Sequence, residues 1–99
     1  MRSRYSAYAL GDARHLIRTT DPEGPHYRAD RGSWRADLEA YSAAAQFVGL
    51  EIVSTRSDAD IGFVHFRASI RTGAGVHVQE EHSRFRRKGR SWVYTDAMD

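Results

Sequence analysis

The sequence contains no cysteine among its 99 residues, only two prolines, and a single lysine, Lys88. Without cysteine the chain cannot form a disulfide framework, use a thiol nucleophile, or bind zinc or an iron–sulfur cluster through sulfur. No apolar run approaches the roughly 18–20 residues of a membrane span, and the first residues lack the apolar stretch of a signal peptide. We therefore expect a cytoplasmic protein, with residues 1–99 as one domain around a single core.

Charge of one sign is not in large excess either. Fifteen Lys and Arg residues against thirteen Asp and Glu residues give a formal net charge of +2. That charge is too small to make the whole chain an electrostatic nucleic-acid binder. One local concentration, the basic tip, comprises Arg84, Arg86, Arg87, Lys88 and Arg90. We interpret it as the solvated end of a hairpin and expect no nucleic-acid partner, no metal and no cofactor.

Apolar residues in the first half of the chain recur at the spacing of helices. One stripe, beginning at Met1, predicts a helix over about 1–10, and a second helix is expected over 12–19. Both prolines fall in a predicted loop. The strongest signal predicts a third helix over 33–47, with Ser33 as its N-cap. The residues of that stripe are Trp34, Leu38, Tyr41, Ala45 and Val48.

From Gly49 onward the apolar period changes to two, which is typical of strands. The alternation predicts four strands, over about 49–56, 61–71, 76–87 and 91–96. Short turns join consecutive strands, as in an antiparallel meander. Three helices followed by such a sheet predict an α+β domain, in which the helices cover one face of a curved four-stranded sheet.

Counting outward from the turns predicts which residues lie opposite each other. A turn centred on Gly73 and Ala74 sets Phe66 opposite Glu81, and a three-residue turn over 58–60 sets Ile52 opposite Phe66. A loop at Lys88 and Gly89 predicts three further pairs: Phe85 with Trp92, Ser83 with Tyr94, and Glu81 with Asp96. The inner face then contains Leu50, Ile52, Val64, Phe66, Ala68, Ile70, Phe85, Trp92 and Tyr94.

Two polar residues, Glu81 and Ser83, also point inward in this register. A carboxylate among aromatic residues must be paired or hydrogen-bonded, or its pKa must rise. We expect Arg2 or Arg4, from the first helix, to form a structural ion pair with Glu81.

On the opposite, outer face, Arg67 is predicted to lie between Glu51 and Glu80 in a row of alternating charge. His65 is predicted to lie opposite His82. We interpret these residues as structural ion pairs and solvated histidines, because a metal site would need a third ligand. The same face is the expected surface for a homodimer.

Residues 1–12 resemble the start of the main domain in the YchJ-like family of small bacterial proteins. Three later segments resemble the family in the same order: 47–52, 81–85, and Gly89 with 92–96. The resemblance implies a cone-shaped fold like that of nuclear transport factor 2, with a cavity between sheet and helices. Family members commonly carry a cysteine-rich SEC-C zinc motif. This cysteine-free chain is either the core domain alone or a member that lacks the metal module.

The resemblance implies no established activity, and relatives of this fold include both enzymes and binding domains. Our first hypothesis is a non-catalytic interaction module or one that binds a small, apolar ligand, without catalytic residues. The pocket candidates are Tyr5, Tyr8, Trp34, Phe66, Glu81, Ser83, Trp92 and Tyr94.

Two alternatives remain open. A small isomerase, cyclase or hydrolase would use Glu81 and Asp96 with Tyr94 for acid–base chemistry. A weaker alternative is nucleic-acid binding through the basic tip. An open pocket with an unpaired Glu81 would favour the enzyme, whereas closure by Arg2 or Arg4 would favour the structural interpretation.

Overall fold

The computed structural model describes residues 2–98, so the predicted contribution of Met1 to the first helix lies outside the described residues. Three helices precede four strands: α1 (Arg2–Leu10), α2 (Ala13–Arg18), α3 (Arg31–Ala44), β1 (Gln46–Asp58), β2 (Ile61–Thr72), β3 (Gly75–Lys88) and β4 (Ser91–Ala97). The strands form one antiparallel sheet in the order β1-β2-β3-β4. The predicted α+β architecture is confirmed. Within residues 2–98, no helix combines the length and apolarity needed to cross a membrane.

The third helix begins earlier and ends earlier than predicted. Its N-cap is Asp30, whose carboxylate accepts a hydrogen bond of 3.1 Å from the amide of Ser33. Ser33 is therefore the third residue of the helix and not its N-cap, because its own amide donates to the side chain of the N-cap residue, Asp30. The helix ends at Ala44, and residues such as Val48 belong to β1 instead. The neighbours of Val48, Phe47 and Gly49, pair with Ile70 and Ser69 of β2, and this pairing outweighs the helical spacing.

The inner face of the sheet carries the core. Phe66, Ala68 and Ile70 on β2 are buried together with Ala45. The partly buried residues that pack against this cluster are Tyr5, Phe47, Leu50, Ile52 and Val64. Alternation along β2 places every second side chain on one face, so the apolar period of two produces this continuous surface.

The register of β1 against β2 agrees with the prediction, although the turn does not. Asp58 lies opposite Ile61, which makes the loop two residues long rather than three. A bulge between Ile52 and Ser54 supplies the missing residue, so that Ile52 lies opposite Phe66 as predicted. The shorter turn shifts the pairing of β1 with β2 by one residue, and the extra residue of the bulge shifts it back.

The loop between β3 and β4 was predicted one residue too early. Lys88 lies opposite Ser91, and Gly89 in the loop has a φ of 63°, a conformation that favours glycine. Phe85 consequently lies opposite Tyr94, so its predicted pairing with Trp92 is wrong. A shift of two residues leaves the faces unchanged, and the side chain of Phe85 stays buried on the inner face.

A second irregularity in β3 and β4 does change the faces. It places Asp96 opposite Arg84, on the outer face. The predicted pair of Ser83 with Tyr94 is wrong because the later loop sets Tyr94 opposite Phe85. The predicted pair of Glu81 with Asp96 is wrong because one unpaired residue in β4 reverses the alternation of the side chains beyond it.

The segment that follows α2 lies along the free edge of β4. Thr20 forms an isolated parallel bridge with Tyr94. The amide of Tyr94 donates to the carbonyl of Thr19 at 2.7 Å, and the amide of Asp21 donates to the carbonyl of Tyr94 at 2.8 Å. These bonds join the helical layer to the sheet and cover polar groups at an otherwise open edge.

Asp21 locks this segment in place. Its side chain is only 2% exposed and accepts hydrogen bonds from Arg86 Nη2 and Nε at 2.6 and 2.9 Å. The hydroxyl of Thr95 and the amide of Glu23 donate to the same carboxylate at 3.0 and 2.9 Å. The hydrogen bond from Arg86 and these further donors hold the pKa of Asp21 well below its usual range.

We expect Asp21→Asn to lower the free energy of unfolding by about 3–5 kcal/mol at pH 7, because it removes the buried charged partner of Arg86 and leaves only the exposed carboxylate of Glu23. A carboxylate with a lowered native pKa stabilises the fold above its unfolded pKa of about 3.9, and that contribution is lost as the pH falls below it. The difference between parent and variant should therefore shrink between pH 7 and pH 3. Urea unfolding at both pH values measures it.

Asp37→Asn is the matched control for this experiment. Asp37 pairs with Arg28 at 2.8 Å, but its side chain is 70% exposed. Removal of an exposed pair should change stability by less than about 1 kcal/mol. Equal effects of the two substitutions would show that Asp21 does not anchor the segment.

Candidate functional site

A cavity of about 510 Å³, the main cavity, lies between the helices and the inner face of the sheet. Its apolar and aromatic walls consist of Tyr5, Tyr8, Leu16, Trp34, Leu38, Tyr41, Phe47, Phe66, Ala68, Ile70 and Tyr94. Its polar residues are Arg4, Thr20, His26, Arg28, Asp37, Gln79, Glu81 and Ser83. All the pocket candidates chosen from the sequence line this cavity except Trp92, which lines a second one.

Aromatic side chains close one side of the main cavity. The ring of Phe47 lies 5.7 Å from that of Tyr5, 5.6 Å from that of Tyr8 and 6.0 Å from that of Tyr41, measured between centroids. The pairs with Tyr5 and Tyr41 are edge-to-face, a favourable arrangement at these distances, and the pair with Tyr8 is tilted by 33°. Three elements, α1, α3 and β1, therefore meet in one wall.

Glu81 is the carboxylate at the sheet side of the main cavity. Its Oε2 accepts hydrogen bonds from the hydroxyl of Ser83 at 2.5 Å and from that of Tyr94 at 3.2 Å. Its Oε1 has only a long contact of 3.5 Å with the side-chain amide of Gln79. The period of two along β3 brings positions 79, 81 and 83 to the same face.

The predicted ion pair of Glu81 with Arg2 or Arg4 is wrong, since no basic side chain within residues 2–98 pairs with this carboxylate. Arg4 is buried, with 8% exposure, and its Nη1 donates to the carbonyl of Leu16 at 3.1 Å and to the hydroxyl of Thr19 at 2.7 Å. The carbonyl belongs to the last turn of α2, where the helix dipole attracts a cation. Arg4 therefore binds within the helical layer.

Tyr94 separates the two charges. Its ring lies beneath the guanidinium of Arg4, with 4.8 Å between the Arg4 Cζ and the ring centroid, while its hydroxyl reaches Glu81. Burial, and then the negative charge of Glu81, raise the pKa of Tyr94 above its usual value. The phenol therefore stays protonated at neutral pH and acts as a hydrogen-bond donor.

Asp96 does not reach the main cavity. It lies on the outer face, where Arg84 donates to it from Nε at 2.9 Å and from Nη2 at 2.6 Å. Of the three residues considered for acid–base chemistry, the structure brings Glu81 and Tyr94 together and leaves Asp96 on the other side of the sheet. The bulge in the β3–β4 ladder causes this separation.

The outer face contains the charge row predicted from the sequence. Arg67 pairs with Glu51 and with Glu80, each at 3.2 Å, and His65 Nε2 lies 2.5 Å from Glu80. The rings of His65 and His82 stack with centroids 4.0 Å apart. In the part of the chain that the structure describes, no three His, Asp or Glu side chains are grouped to hold a metal ion.

The basic tip is partly neutralised within the chain. Arg84 pairs with Asp96, and Arg86 pairs with Asp21 and with Glu23 at 2.9 Å. These bonds hold two of its five cations along the strand, and they raise the pKa of Arg84 and Arg86 further above neutrality.

Five polar residues of the main cavity are not among the candidates chosen from the sequence: Thr20, His26, Arg28, Asp37 and Gln79. Gln79 shares the strand face of Glu81, so the same alternation identifies it. His26 and the pair Arg28 with Asp37 come from the predicted loop and from α3, and no local pattern indicates them. Their positions depend on how the loop crosses the helical layer.

Because Glu81 has no basic partner, we expect Glu81→Gln to change the free energy of unfolding by less than about 1 kcal/mol, since the amide oxygen still accepts both hydroxyl hydrogen bonds. Thermal unfolding of this variant beside Asp21→Asn measures the contrast between an unpaired and an ion-paired carboxylate. A loss for Glu81→Gln as large as that for Asp21→Asn would contradict the observed geometry and restore a structural role for Glu81.

Comparison with known proteins gives a consistent family match. The family model described as "YchJ, middle NTF2-like domain" matches residues 1–97. The UPF0225 protein SCO1677 of Streptomyces coelicolor is 38% identical over 97% of this chain and 68% of its own length. The UPF0225 protein PC1_1977 of Pectobacterium carotovorum is 35% identical over 99% of this chain and 63% of its own. A third UPF0225 protein, from Vibrio cholerae, is matched over 61% of its own length. The chain therefore spans a little under two thirds to two thirds of the length of these relatives.

Solved structures show the same fold. A SEC-C motif containing protein from Rhodopseudomonas palustris, RPA3114, has a TM-score of 0.83 at 30% identity, with 99% of this chain and 73% of that chain covered. A second SEC-C motif containing protein, from Psychrobacter arcticus, has a TM-score of 0.76 at 27% identity, with 97% of this chain and 56% of that chain covered. A DUF4783 family protein from Bacteroides ovatus shares the fold alone, with a TM-score of 0.60 at 11% identity. The match covers 94% of this chain and 86% of that chain.

Proposed function

The chain belongs to the family of the YchJ middle NTF2-like domain, and on that premise we propose that it is a non-catalytic module that binds a small organic ligand in its main cavity. One observation carries this function. Glu81 presents a carboxylate to an aromatic cavity without a cationic partner among residues 2–98. A buried or half-buried charge of this kind is stabilised when a ligand supplies its counter-charge.

The shape of the main cavity suits a small molecule. Its volume of about 510 Å³ lies within the range of roughly 300–1,000 Å³ of ligand pockets. Such pockets combine mostly apolar walls with a few polar groups that set the orientation of the ligand. Here the walls are largely aromatic, and the polar groups on the sheet side are Gln79, Glu81 and Ser83.

The hydrogen bonds of Glu81 indicate which ligand group it would bind. Oε2 is occupied by Ser83 and Tyr94, whereas Oε1 has only the long contact with Gln79. A ligand N–H, above all a protonated amine, would form a charge-assisted hydrogen bond with Oε1. Aromatic faces near the amine would add cation–π attraction, and the apolar part of the ligand would pack on Tyr5 and Tyr8.

A small enzyme is the second candidate, because an open cavity with an unpaired Glu81 also suits a general base. We rank it lower because Asp96 lies on the outer face and the Tyr94 hydroxyl is engaged as a donor to Glu81. Nucleic-acid binding by the basic tip ranks lower still, since Arg84 and Arg86 are held by carboxylates of the chain.

A cytoplasmic location of the protein stays a prediction.

Ligand binding is tested with 2-phenylethylamine as the probe and 2-phenylethanol as its uncharged counterpart, each titrated by NMR. We expect the amine to bind more tightly, and Glu81→Gln to weaken its binding about tenfold, the loss of roughly 1.4 kcal/mol. Glu80→Gln is the matched control: it removes the neighbouring charge, but from the outer face. Equal binding of amine and alcohol, or an affinity unchanged by Glu81→Gln, would reject the proposed function.

Self-association through the outer face stays a prediction as well. Val76 and Val78 on β3 are 57% and 60% exposed, beside the charge row centred on Arg67. We expect a homodimer to bury these valines, and Arg67→Glu to weaken it because three acidic residues would then lie in a row. Sedimentation velocity of parent and variant measures the association. A parent chain that stays monomeric at high micromolar concentration would exclude this dimer.

A further inference from the structure

A second cavity, of about 660 Å³, lies on the other side of Arg4 from the main cavity. α1 and α2 contribute Arg4 and His15 to it, β1 contributes the hydroxyls of Thr55 and Ser57, and the β3–β4 hairpin contributes Phe85 and Trp92. Among residues 2–98, those that line this cavity include no aspartate and no glutamate. Its polar surface is therefore rich in hydrogen-bond donors.

His15 provides an unsatisfied donor at this cavity. Its Nδ1 lies 3.0 Å from Arg18 Nη2, and a guanidinium can only donate, so Nδ1 is the acceptor in this bond. The ring proton is consequently on Nε2. Nε2 is buried and has no hydrogen-bond partner among residues 2–98. A buried donor left without an acceptor is costly, and an acceptor on a ligand would remove that cost.

Arg4 provides a buried charge without a counter-ion. Its Nη1 is bonded to α2 and to Thr19, but no carboxylate of residues 2–98 forms an ion pair with it. The guanidinium has five N–H donors in a planar fork, which suits a carboxylate. Because Arg4 lines both cavities, an anion in the second cavity can reach it without displacing Glu81 from its own hydrogen bonds.

The apolar side of the cavity indicates the rest of the ligand. The indole of Trp92 packs over Gly62, so closely that a Cβ at that position would lie 3.2 Å from the ring. The guanidinium of Arg87 lies 5.0 Å from the centroid of the same ring. The indole is 36% exposed, and this exposed part, beside the buried ring of Phe85, is the apolar surface that a ligand can contact.

We propose that the second cavity binds a small aromatic carboxylate, with Arg4 and His15 Nε2 as donors to the carboxylate and Trp92 as the surface for the aromatic ring. This site is separate from the one assigned to the proposed function. Its ligand has the opposite charge, because the polar lining consists of donors where the main cavity presents an acceptor.

The experiment is an NMR titration of the full chain, labelled with ¹⁵N, using benzoate and its neutral counterpart benzamide at constant ionic strength. We expect benzoate to bind at least about tenfold more tightly, because only the carboxylate compensates the guanidinium charge. The largest shifts should occur at His15, Thr55 and the indole N–H of Trp92, which line the second cavity only.

Variants at position 15 identify the donor. His15→Leu should weaken benzoate binding about tenfold, whereas His15→Gln, which keeps a side-chain N–H, should recover part of the affinity. His26→Leu is the matched control, since His26 lines the main cavity only. The melting temperature of His15→Leu should not fall, because the substitution removes an unsatisfied buried donor; this readout separates ligand binding from a structural role.

Three results would overturn the proposal. They are equal affinity for benzoate and benzamide, benzoate binding unaffected by His15→Leu, and shifts confined to Tyr41 and Gln79, which line the main cavity only. Failure of the amine to bind in the main cavity would not change these outcomes, so the two titrations test the two proposed sites independently.

Discussion

The architecture depends on the attachment of the segment after α2 to the edge of β4. Backbone hydrogen bonds join Thr19 and Asp21 to Tyr94, and the carboxylate of Asp21 reaches the outer face to bind Arg86. The segment thereby ties the helical layer to a sheet edge. A layer held at its edge leaves space between the helices and the inner face of the sheet, and the main cavity lies in that space.

Two inward charges, Arg4 and Glu81, find separate partners instead of each other. The guanidinium donates to the carbonyl at the end of α2 and lies over the ring of Tyr94, whereas one oxygen of the carboxylate accepts from two hydroxyls. A direct pair would have neutralised both and closed the space between helix and sheet. Their separation gives one cavity an acceptor and the other cavity donors, which is why we assign ligands of opposite charge to them.

Much of the sheet could be predicted because its apolar residues alternate over long strands. Ile52 lies opposite Phe66 and Arg67 lies between Glu51 and Glu80, as expected from the turns. The agreement in the first hairpin required a bulge to offset a shorter turn. In the last hairpin a bulge had the reverse effect and moved Asp96 to the outer face. Bulges leave no signature in an alternating pattern, and each one reverses the faces beyond it.

The order of the elements, the apolar inner face and the inward position of Glu81 follow from the amino-acid sequence, because they depend on the local periods of helix and strand. The resemblance to the YchJ-like family pointed to the same cone-shaped fold. The partners of Arg4 and Asp21 follow only from the three-dimensional arrangement, because those partners come from distant segments. Which of several chemically suitable groups a charged side chain binds depends on distances between elements, and periodicity carries no information about them.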